Sequence, residues 1–174
     1  MVQQIKWIDR KFNFDQPIGL FPLTLDRLSG TALRLIGYTA NLPKEVLTRK
    51  NGTAWSIQEH VGHLIDLEEL HEGRIDDYLA GKEVLRAADM QNTKTNEANH
   101  NNAEIHELLY KFAKARNKFI KRLEILDEET LNRRALHPRL NQQIRPVDLA
   151  LFVAEHDDQH LATIYGLIQS YRLD

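Results

Sequence analysis

Apolar residues recur every three or four positions in four segments of this 174-residue chain. This period is typical of amphipathic helices, which we predict over residues 22–40, 56–81, 105–123 and from 146 onward. Pro146 falls in the first turn of the last helix, where its missing amide proton costs no hydrogen bond. Four such helices predict an all-α fold of the four-helix-bundle type, formed by a single domain covering residues 1–174.

The second helix has the clearest start signal in the chain. Ser56 and Glu59 have the spacing of a capping box, in which each side chain bonds to the other residue's backbone amide. Trp55 stands just before this box, and we expect its ring to pack against the fourth helical residue, His60. Gly81 is predicted to end the helix, because glycine readily adopts the left-handed conformation found after helix ends.

The segments between the predicted helices are polar and contain turn residues. We predict loops at Lys44–Ala54, 82–100 and Glu128–Gln143, the last with His137-Pro138-Arg139-Leu140 at its middle. The 82–100 loop is long for a compact domain, which suggests that it covers a site. Residues 1–20 alternate charges with aromatic side chains and are predicted to form an irregular arm that packs over the body.

Two charged residues interrupt the apolar stripes. Arg116 falls within the stripe of the third helix, which Asn101 and Glu104 are predicted to cap, and Glu68 falls within the stripe of the second. A charge directed into a core must be paired or must serve a ligand. Either Glu68 and Arg116 form a buried ion pair, or Arg116 receives an anionic substrate group, and in both cases the two side chains should lie close together.

His156 and His160 are one helical turn apart in the last helix, within the segment Glu155-His156-Asp157-Asp158-Gln159-His160. Residues at this spacing share one helical face, so both imidazoles can reach one metal ion. A helical wheel places both on the apolar face, which predicts that they point inward. The alternative is that they are two core histidines, each with its own buried partner. A metal site would need a third ligand from elsewhere in the chain.

Four histidines are candidates for this third ligand: His60, His63, His71 and, less plausibly, His106. On a helical wheel His60 and His71 lie nearer the apolar centre than His63 does. Packing against Trp55 would occupy His60, while Gly62 leaves room for a close neighbour beside His63. The residues alone therefore favour His63 only slightly.

Composition narrows the function classes. The formal charge is −2 with 28% charged residues, so there is no basic surplus that would favour nucleic acid as a partner. The chain has no cysteine, which excludes disulfides, thiolate metal ligands and a protein thiol nucleophile. Neither a signal peptide nor an apolar run of about 20 residues is evident, so we expect a cytoplasmic protein without a membrane partner.

Two sequence segments resemble the DinB-like (YfiT-like) superfamily of metal-dependent proteins. They are Trp55-Ser56-Ile57-Gln58-Glu59-His60-Val61-Gly62-His63-Leu64 and Glu155-His156-Asp157-Asp158-Gln159-His160-Leu161. The resemblance spans most of the chain, from the first helix to the last. It implies a bundle that binds one divalent ion through three histidines. Carried over to this sequence these are His63, by its place eight residues after Trp55, together with His156 and His160.

The resemblance also implies a chemistry. Relatives include transferases that add bacillithiol and isomerases that use mycothiol, so it implies metal activation of a low-molecular-weight thiol toward an electrophile. It further implies a small-molecule substrate, and a homodimer is expected both from the family and from the frequency of symmetric pairs. Three imidazoles suit zinc, nickel, iron or copper and do not select among them.

The working hypothesis is an open site in which a metal held by three neutral imidazoles activates a cofactor thiol or a water. Asp157 would orient a ligand imidazole or be a solvated surface acid, and Arg116 would bind an acidic group of the thiol or substrate. Two other functions use the same ligands. One is a metal-dependent hydrolase, and the other is a non-catalytic, stress-associated metal-binding protein.

Overall fold

The computed structural model describes residues 4–171. Four long helices dominate it, in agreement with the four predicted segments. They are α1 (Phe21–Thr39), α3 (Ile57–Leu79), α5 (Ile105–Glu124) and α7 (Pro146–Tyr171).

Short elements occupy the connections, so the prediction that these segments are loops was wrong in part. They are the helices α2 (Lys44–Leu47), α4 (Thr93–Glu97) and α6 (Glu128–Asn132), the strands β1 (Ala135–His137) and β2 (Gln142–Ile144), and the 3₁₀ turns Trp7–Asp9, Ile18–Leu20 and His100–Asn102. Each short helix has four or five residues, and each strand and 3₁₀ turn has three, which is too short to show a hydrophobic period in the sequence.

The strands β1 and β2 form an antiparallel hairpin, with Ala135 opposite Ile144 and His137 opposite Gln142. Asn141 has a φ of 51° in the turn that joins them. Leu136 also forms an isolated parallel bridge with Val84, which ties this hairpin to the segment after α3. The hairpin is therefore held by tertiary contacts rather than by a strong local preference.

The predicted start and end of α3 are confirmed. The Ser56 hydroxyl accepts a hydrogen bond from the amide of Glu59 (3.1 Å), and the Glu59 carboxylate accepts one from the amide of Ser56 (2.8 Å). Gly81 follows the helix with a φ of 66°. The predicted cap of α5 is wrong: Glu104 occupies the N-cap position without a side-chain cap bond, and Asn101 instead accepts from the Ser56 hydroxyl.

The long helices pack as a four-helix bundle in which α1 contacts α5 and α7, and α3 contacts the same two helices. Two apolar clusters fill the bundle. One contains Leu28, Tyr78, Phe119 and Phe152, and the other contains Leu35, Leu64, Phe112 and Ile164.

A buried polar layer separates these two clusters. Each long helix contributes one residue to this layer. Along the helix, that residue lies between the residues that belong to one apolar cluster and those that belong to the other. The four residues are Thr31, Glu68, Arg116 and Asp157. The layer therefore crosses the bundle at the level where α7 carries its histidines.

The amino-terminal arm packs on the bundle, as predicted, within the part of it that the structure describes; residues 1–3 lie outside that part. The Trp7 ring contacts the rings of Phe12, Phe152 and His156 at centroid distances of 5.1, 5.0 and 4.9 Å. Across residues 4–171, no helix is both long enough and apolar enough to span a lipid bilayer.

Candidate metal centre

His63, His156 and His160 converge where α3 faces α7. One ring nitrogen from each histidine lies within 4.8 Å of those of the other two, and all three side chains are buried. The Nε2 atoms of His156 and His160 are 3.1 Å apart. Two imidazole nitrogens bound to one tetrahedral ion at 2.0–2.1 Å would be about 3.3 Å apart, so this pair fits a shared ion.

A chain of hydrogen bonds determines which nitrogen of His63 is available. Its Nδ1 lies 3.1 Å from the Thr95 hydroxyl, which donates its single proton to Asp66 (2.9 Å). The hydroxyl must therefore accept from Nδ1–H of His63, which leaves the lone pair on Nε2. His100 also donates to Asp66 through Nε2 (2.8 Å) and so fixes the orientation of this carboxylate. Such partners of a ligand imidazole strengthen metal binding.

His160 has an equivalent partner in His60. Their Nδ1 atoms are 2.8 Å apart, so one ring donates to the other, and Nε2 of His160 remains directed at His156. The predicted contact of His60 with Trp55 is confirmed as an edge-on arrangement with a centroid distance of 5.6 Å. Nδ1 of His156 is buried and has no hydrogen-bond partner among the described residues.

Burial keeps these imidazoles neutral at physiological pH. It lowers the pKa of His60 to about 4, and together with the positive charge of a protonated His60 it lowers the pKa of His63 to about 4 as well. Burial also lowers the pKa values of His156 and His160 well below the usual range. Because a metal binds the unprotonated ring, the three candidate ligands need no deprotonation at neutral pH.

The other two histidines considered as ligands lie outside the cluster. His71 is buried on α3, packs against Phe119, and has an Nδ1 atom with no partner in the described part of the chain. His106 is exposed on α5.

A cavity of about 250 Å³ adjoins the three histidines. Aromatic and apolar side chains form most of its wall, including Trp7, Trp55, Leu67, Met90 and Phe152. Met90 comes from the long 82–100 segment, and α4 of the same segment supplies Thr95 to His63. The segment thus adjoins the cavity and the histidines, as expected of a segment that covers a site.

The cavity also has a basic end that the sequence analysis missed. Arg74, His137 and Arg139 line it together with His71 and one acidic residue, Asp89. A signal for Arg74 existed, because it follows Leu67 by two helical turns and so lies on the same flank of α3 as His63. No signal in the sequence indicated that His137 and Arg139 lie at the cavity, since the hairpin that positions them was not predicted.

Arg116 and Asp157 lie in the polar layer rather than in the cavity wall. Arg116 donates to Glu68 from Nε (3.0 Å) and Nη2 (2.6 Å), so the predicted proximity and ion pair are confirmed. It also donates to both carboxylate oxygens of Asp157, which in turn accepts from Thr31 (2.7 Å). Asp157 is 1% exposed, which excludes the solvated surface acid, and its hydrogen bonds go to Arg116 and Thr31 rather than to a ligand imidazole.

The polar layer holds one cation between two carboxylates. Burial would lower the pKa of Arg116, but Asp157 and Glu68 together raise it, so the guanidinium stays charged. Burial raises the pKa of Glu68 to about 6, against the opposing effect of Arg116. Glu68 Oε2 is also buried without a described hydrogen-bond partner. Asp157 is thus the main counterion, and it fixes α7 at the residue beside His156.

Two acids within the segment 155–160 fix the outer face of α7. Glu155 pairs with Arg10 of the arm and Arg27 of α1, while Asp158 pairs with Arg27 and with Arg34 (2.7 Å). The segment therefore directs its histidines inward and these two acids outward, to arginines of neighbouring elements.

Fold and site together define a class: helical-bundle proteins in which three histidines converge from two facing helices. The chain belongs to the DinB superfamily, whose family model matches residues 27–164. No curated protein matches the chain. Among solved structures, YfiT from Bacillus subtilis is similar, with a TM-score of 0.78, 18% identity and 93% of each chain covered. That structure is described as a probable metal-dependent hydrolase with an unusual four-helix bundle topology. At this identity the similarity shows the shared fold.

Proposed function

We propose that the protein is a divalent-metal-dependent enzyme that activates a low-molecular-weight thiol toward a small electrophile. The observation that carries this proposal is the position of the three histidines in the wall of a cavity of about 250 Å³. The described residues of that wall include no serine, lysine or tyrosine, and the chain has no cysteine. The wall therefore offers no hydroxyl, amine or thiol nucleophile of the protein, which supports a nucleophile that enters as a small molecule.

The donor set fits a borderline divalent ion such as zinc, nickel or iron, because it consists of three neutral imidazoles. His63, His156 and His160 would hold the ion. When bound in this way, a divalent ion lowers the pKa of a thiol or water ligand and so supplies a nucleophile near neutral pH.

The protein's own residues orient the ligands and shield the site. Thr95 and Asp66 hold the His63 ring, and His60 holds the His160 ring. Trp7 and Trp55 pack against the histidines, with centroid distances of 4.9 Å from Trp7 to His156 and 4.6 Å from Trp55 to His63. These rings limit the access of water to the reacting groups, which strengthens electrostatic interactions in the cavity.

A metal-dependent hydrolase is the second candidate, and the description of YfiT favours it. It would use the same ligands with water in place of the thiol. Thiol dependence separates the two: a transferase consumes thiol in proportion to product, and a hydrolase turns over without it. A non-catalytic metal-binding protein would show neither reaction.

Two further features belong to this proposal. We propose that the protein acts in the cytoplasm, because a low-molecular-weight thiol stays reduced there. We also propose a homodimer, which light scattering coupled to size-exclusion chromatography would test directly.

The first experiment is elemental analysis of tag-free protein that has never contacted a nickel column. About one ion per chain is expected, with loss of the ion in His63→Ala and His160→Ala. His106→Ala is the matched control, since this exposed histidine lies outside the cluster, and it should retain the ion. Folded wild-type protein that does not bind added zinc or nickel would refute the metal site. Full retention of metal in His160→Ala would refute the ligand assignment.

With metal established, purified protein is assayed on a panel of electrophiles with and without bacillithiol or cysteine. Stoichiometric loss of thiol that requires His160 supports the transferase. Thiol-independent hydrolysis that requires His160 would replace it with the hydrolase.

A further inference from the structure

We infer that Arg74, Arg139 and His137 form a subsite that binds an oxyanion, a carboxylate or a phosphate, of an acidic small-molecule substrate. The subsite lies in the same cavity as the three histidines. This inference deepens the proposed function and rests on it for the statement that the bound anion belongs to the substrate.

Arg74 is a buried cation that forms no ion pair with a carboxylate of residues 4–171. Its side chain is 2% exposed, and the nearby Asp77, whose negative charge favours the charged guanidinium, has its own oxygens engaged by Arg86 and Lys82. Its Nε donates to the backbone oxygen of Arg86 (3.1 Å). Burial lowers its pKa to about 10, which still leaves it charged at neutral pH. Isolated buried charges are costly, so such a group is expected to serve a ligand.

The neighbouring residues hold Arg74 in place. Asp77 accepts hydrogen bonds from the backbone amide (2.8 Å), Nε (3.0 Å) and Nη2 (3.0 Å) of Arg86. The Arg86 carbonyl is thereby fixed and orients Nε of Arg74. Gly73 makes this arrangement possible, because a Cβ atom there would collide with the Arg86 guanidinium. The Nη groups of Arg74 are left for the cavity.

Arg139 approaches the cavity from the hairpin. Its guanidinium carbon lies 5.2 Å from the centre of the Trp7 ring and 5.3 Å from that of Phe152, so two aromatic rings hold it in position. Its Nη2 atom is buried and has no hydrogen-bond partner among residues 4–171. Arg139 therefore offers an unused donor beside the one offered by Arg74.

His137 adds a neutral donor whose tautomer follows from its contacts. Its Nδ1 accepts a hydrogen bond from the backbone amide of Leu140 (3.3 Å), so the ring proton is on Nε2. Nε2 is buried and, in the described part of the chain, unpartnered. Burial lowers the pKa of His137 to about 3, which keeps the ring in this neutral form.

These three side chains present donors only, and two of them are charged. The acidic residue in the wall, Asp89, has its oxygens engaged by the amides of Gln91 (2.8 Å) and Thr93 (2.7 Å). A guanidinium matches the two oxygens of a carboxylate or phosphate in geometry and charge. An oxyanion is the ligand that satisfies all three groups together.

The cavity has room for a small molecule. A closed cavity of about 150 Å³ accommodates benzene, so about 250 Å³ holds roughly ten non-hydrogen atoms of a bound molecule. Arg74 lies on the same flank of α3 as His63, about three turns further along. The substrate is therefore a small acid that is held by its anionic group at the basic end, while its reacting atom lies toward the histidines.

The test is calorimetric titration of full-length protein with succinate and with inorganic phosphate at constant ionic strength. Wild type is compared with Arg139→Gln, Arg74→Gln and His137→Phe. Arg134→Gln is the matched control, because it removes the same charge at an exposed position. Metal content and circular dichroism are measured on each sample. Arg139→Gln keeps the test decisive if the deeply buried Arg74 cannot be replaced without unfolding.

We expect wild type to bind at least one of the two anions, and Arg134→Gln to bind it with the same affinity as wild type. Arg139→Gln should bind about tenfold or more weakly, with its metal content unchanged. The anion that binds more tightly identifies the substrate's acidic group as a carboxylate or a phosphate. Wild-type dissociation constants weaker than about 10 mM for both anions would overturn the inference, as would equal affinity in Arg139→Gln and Arg134→Gln.

Metal removal separates this inference from the proposed function. Arginine-dependent anion binding that persists in chelator-treated protein supports the subsite by itself, even if wild-type protein proves to bind no metal. Anion binding that requires metal and is unchanged by the arginine substitutions would overturn the subsite but would not contradict the proposed metal site.

Discussion

Nδ1 of His63 lies 3.1 Å from the hydroxyl of Thr95, a residue of the short helix α4. Through this one contact the long segment after α3 helps to orient a candidate metal ligand. Thr95 passes the interaction on to Asp66, so a carboxylate stabilises the ring indirectly through a hydroxyl. The tautomer of His63 therefore depends on the fold of a segment far from it in sequence.

Replacing Thr95 by Val should weaken metal binding without removing a ligand. We expect an affinity loss of about tenfold or more, because the His63 ring loses the acceptor that fixes its tautomer. Competition with a chromophoric chelator measures the affinity. Thr53→Val, at an exposed position, is the control and should leave it unchanged. Equal affinities in the two variants would show that Thr95 has no influence on the ligand.

Arg116→Leu should destabilise the fold strongly. It leaves the carboxylates of Glu68 and Asp157 buried without their cation, which typically costs about 3–5 kcal/mol in the free energy of unfolding. Urea unfolding followed by circular dichroism measures this change. Arg122→Leu, which breaks only partly exposed pairs with Glu72 and Asp76, should cost about 1 kcal/mol or less. A loss below 1 kcal/mol in Arg116→Leu would contradict a structural role for the polar layer.

The bundle and the inward-facing pair His156 and His160 could be predicted because their signals are periodic. Long stripes determine α1, α3, α5 and α7, and the spacing of His156 and His160 places both on the buried face of α7. The charge of Glu68 within an apolar stripe likewise predicted its partner Arg116. Each of these inferences depends on one helix surface at a time.

Features that depend on distant segments could not be predicted in this way. The choice of His63 over His60 and His71 depends on how α3 is rotated against α7, and a helical wheel does not contain that information. Asp157 was predicted to lie on the surface or beside a ligand imidazole. Its partner Arg116 lies on another helix, and the sequence of α7 alone does not show that contact. The hairpin that brings His137 and Arg139 to the cavity is held by tertiary contacts with Val84 and the apolar core.

Metal-free protein should lose stability as the pH falls from about 7 toward 4. Burial lowers the pKa of His60 and of His63 to about 4, whereas the unfolded chain titrates near 6.5. The unfolded state therefore binds more protons in this interval, and stability is lost as the pH falls through it, by about 3 kcal/mol at most for each ring.

Urea unfolding in the presence of a chelator at pH 7.5, 6 and 5 measures this pH dependence. His60→Gln removes one of the buried titrating rings and should reduce the pH dependence, while His106→Gln, at an exposed site, should not. A wild-type stability that is constant between pH 7.5 and 5 would show that these imidazoles are not held neutral by burial.

Replacing either of two helical glycines by alanine should change the free energy of unfolding, but in opposite directions. A Cβ atom on Gly62 would overlap the His100 ring, which packs directly on α3 and donates to Asp66. Gly62→Ala should therefore displace His100 and lower the free energy of unfolding by about 1–3 kcal/mol. It should also weaken metal binding, because Asp66 supports Thr95 and through it His63.

Gly37→Ala is the matched comparison, since no atom lies within 4 Å of the Cβ position at this exposed site of α1. Alanine there should raise the free energy of unfolding by about 0.5–1 kcal/mol, because it restricts the unfolded chain and favours the helix. Urea unfolding and chelator competition on both variants give the two readouts. Gly62→Ala protein as stable as Gly37→Ala protein would mean that His100 can leave α3 without cost, and the support for His63 would then have to come from Thr95 alone.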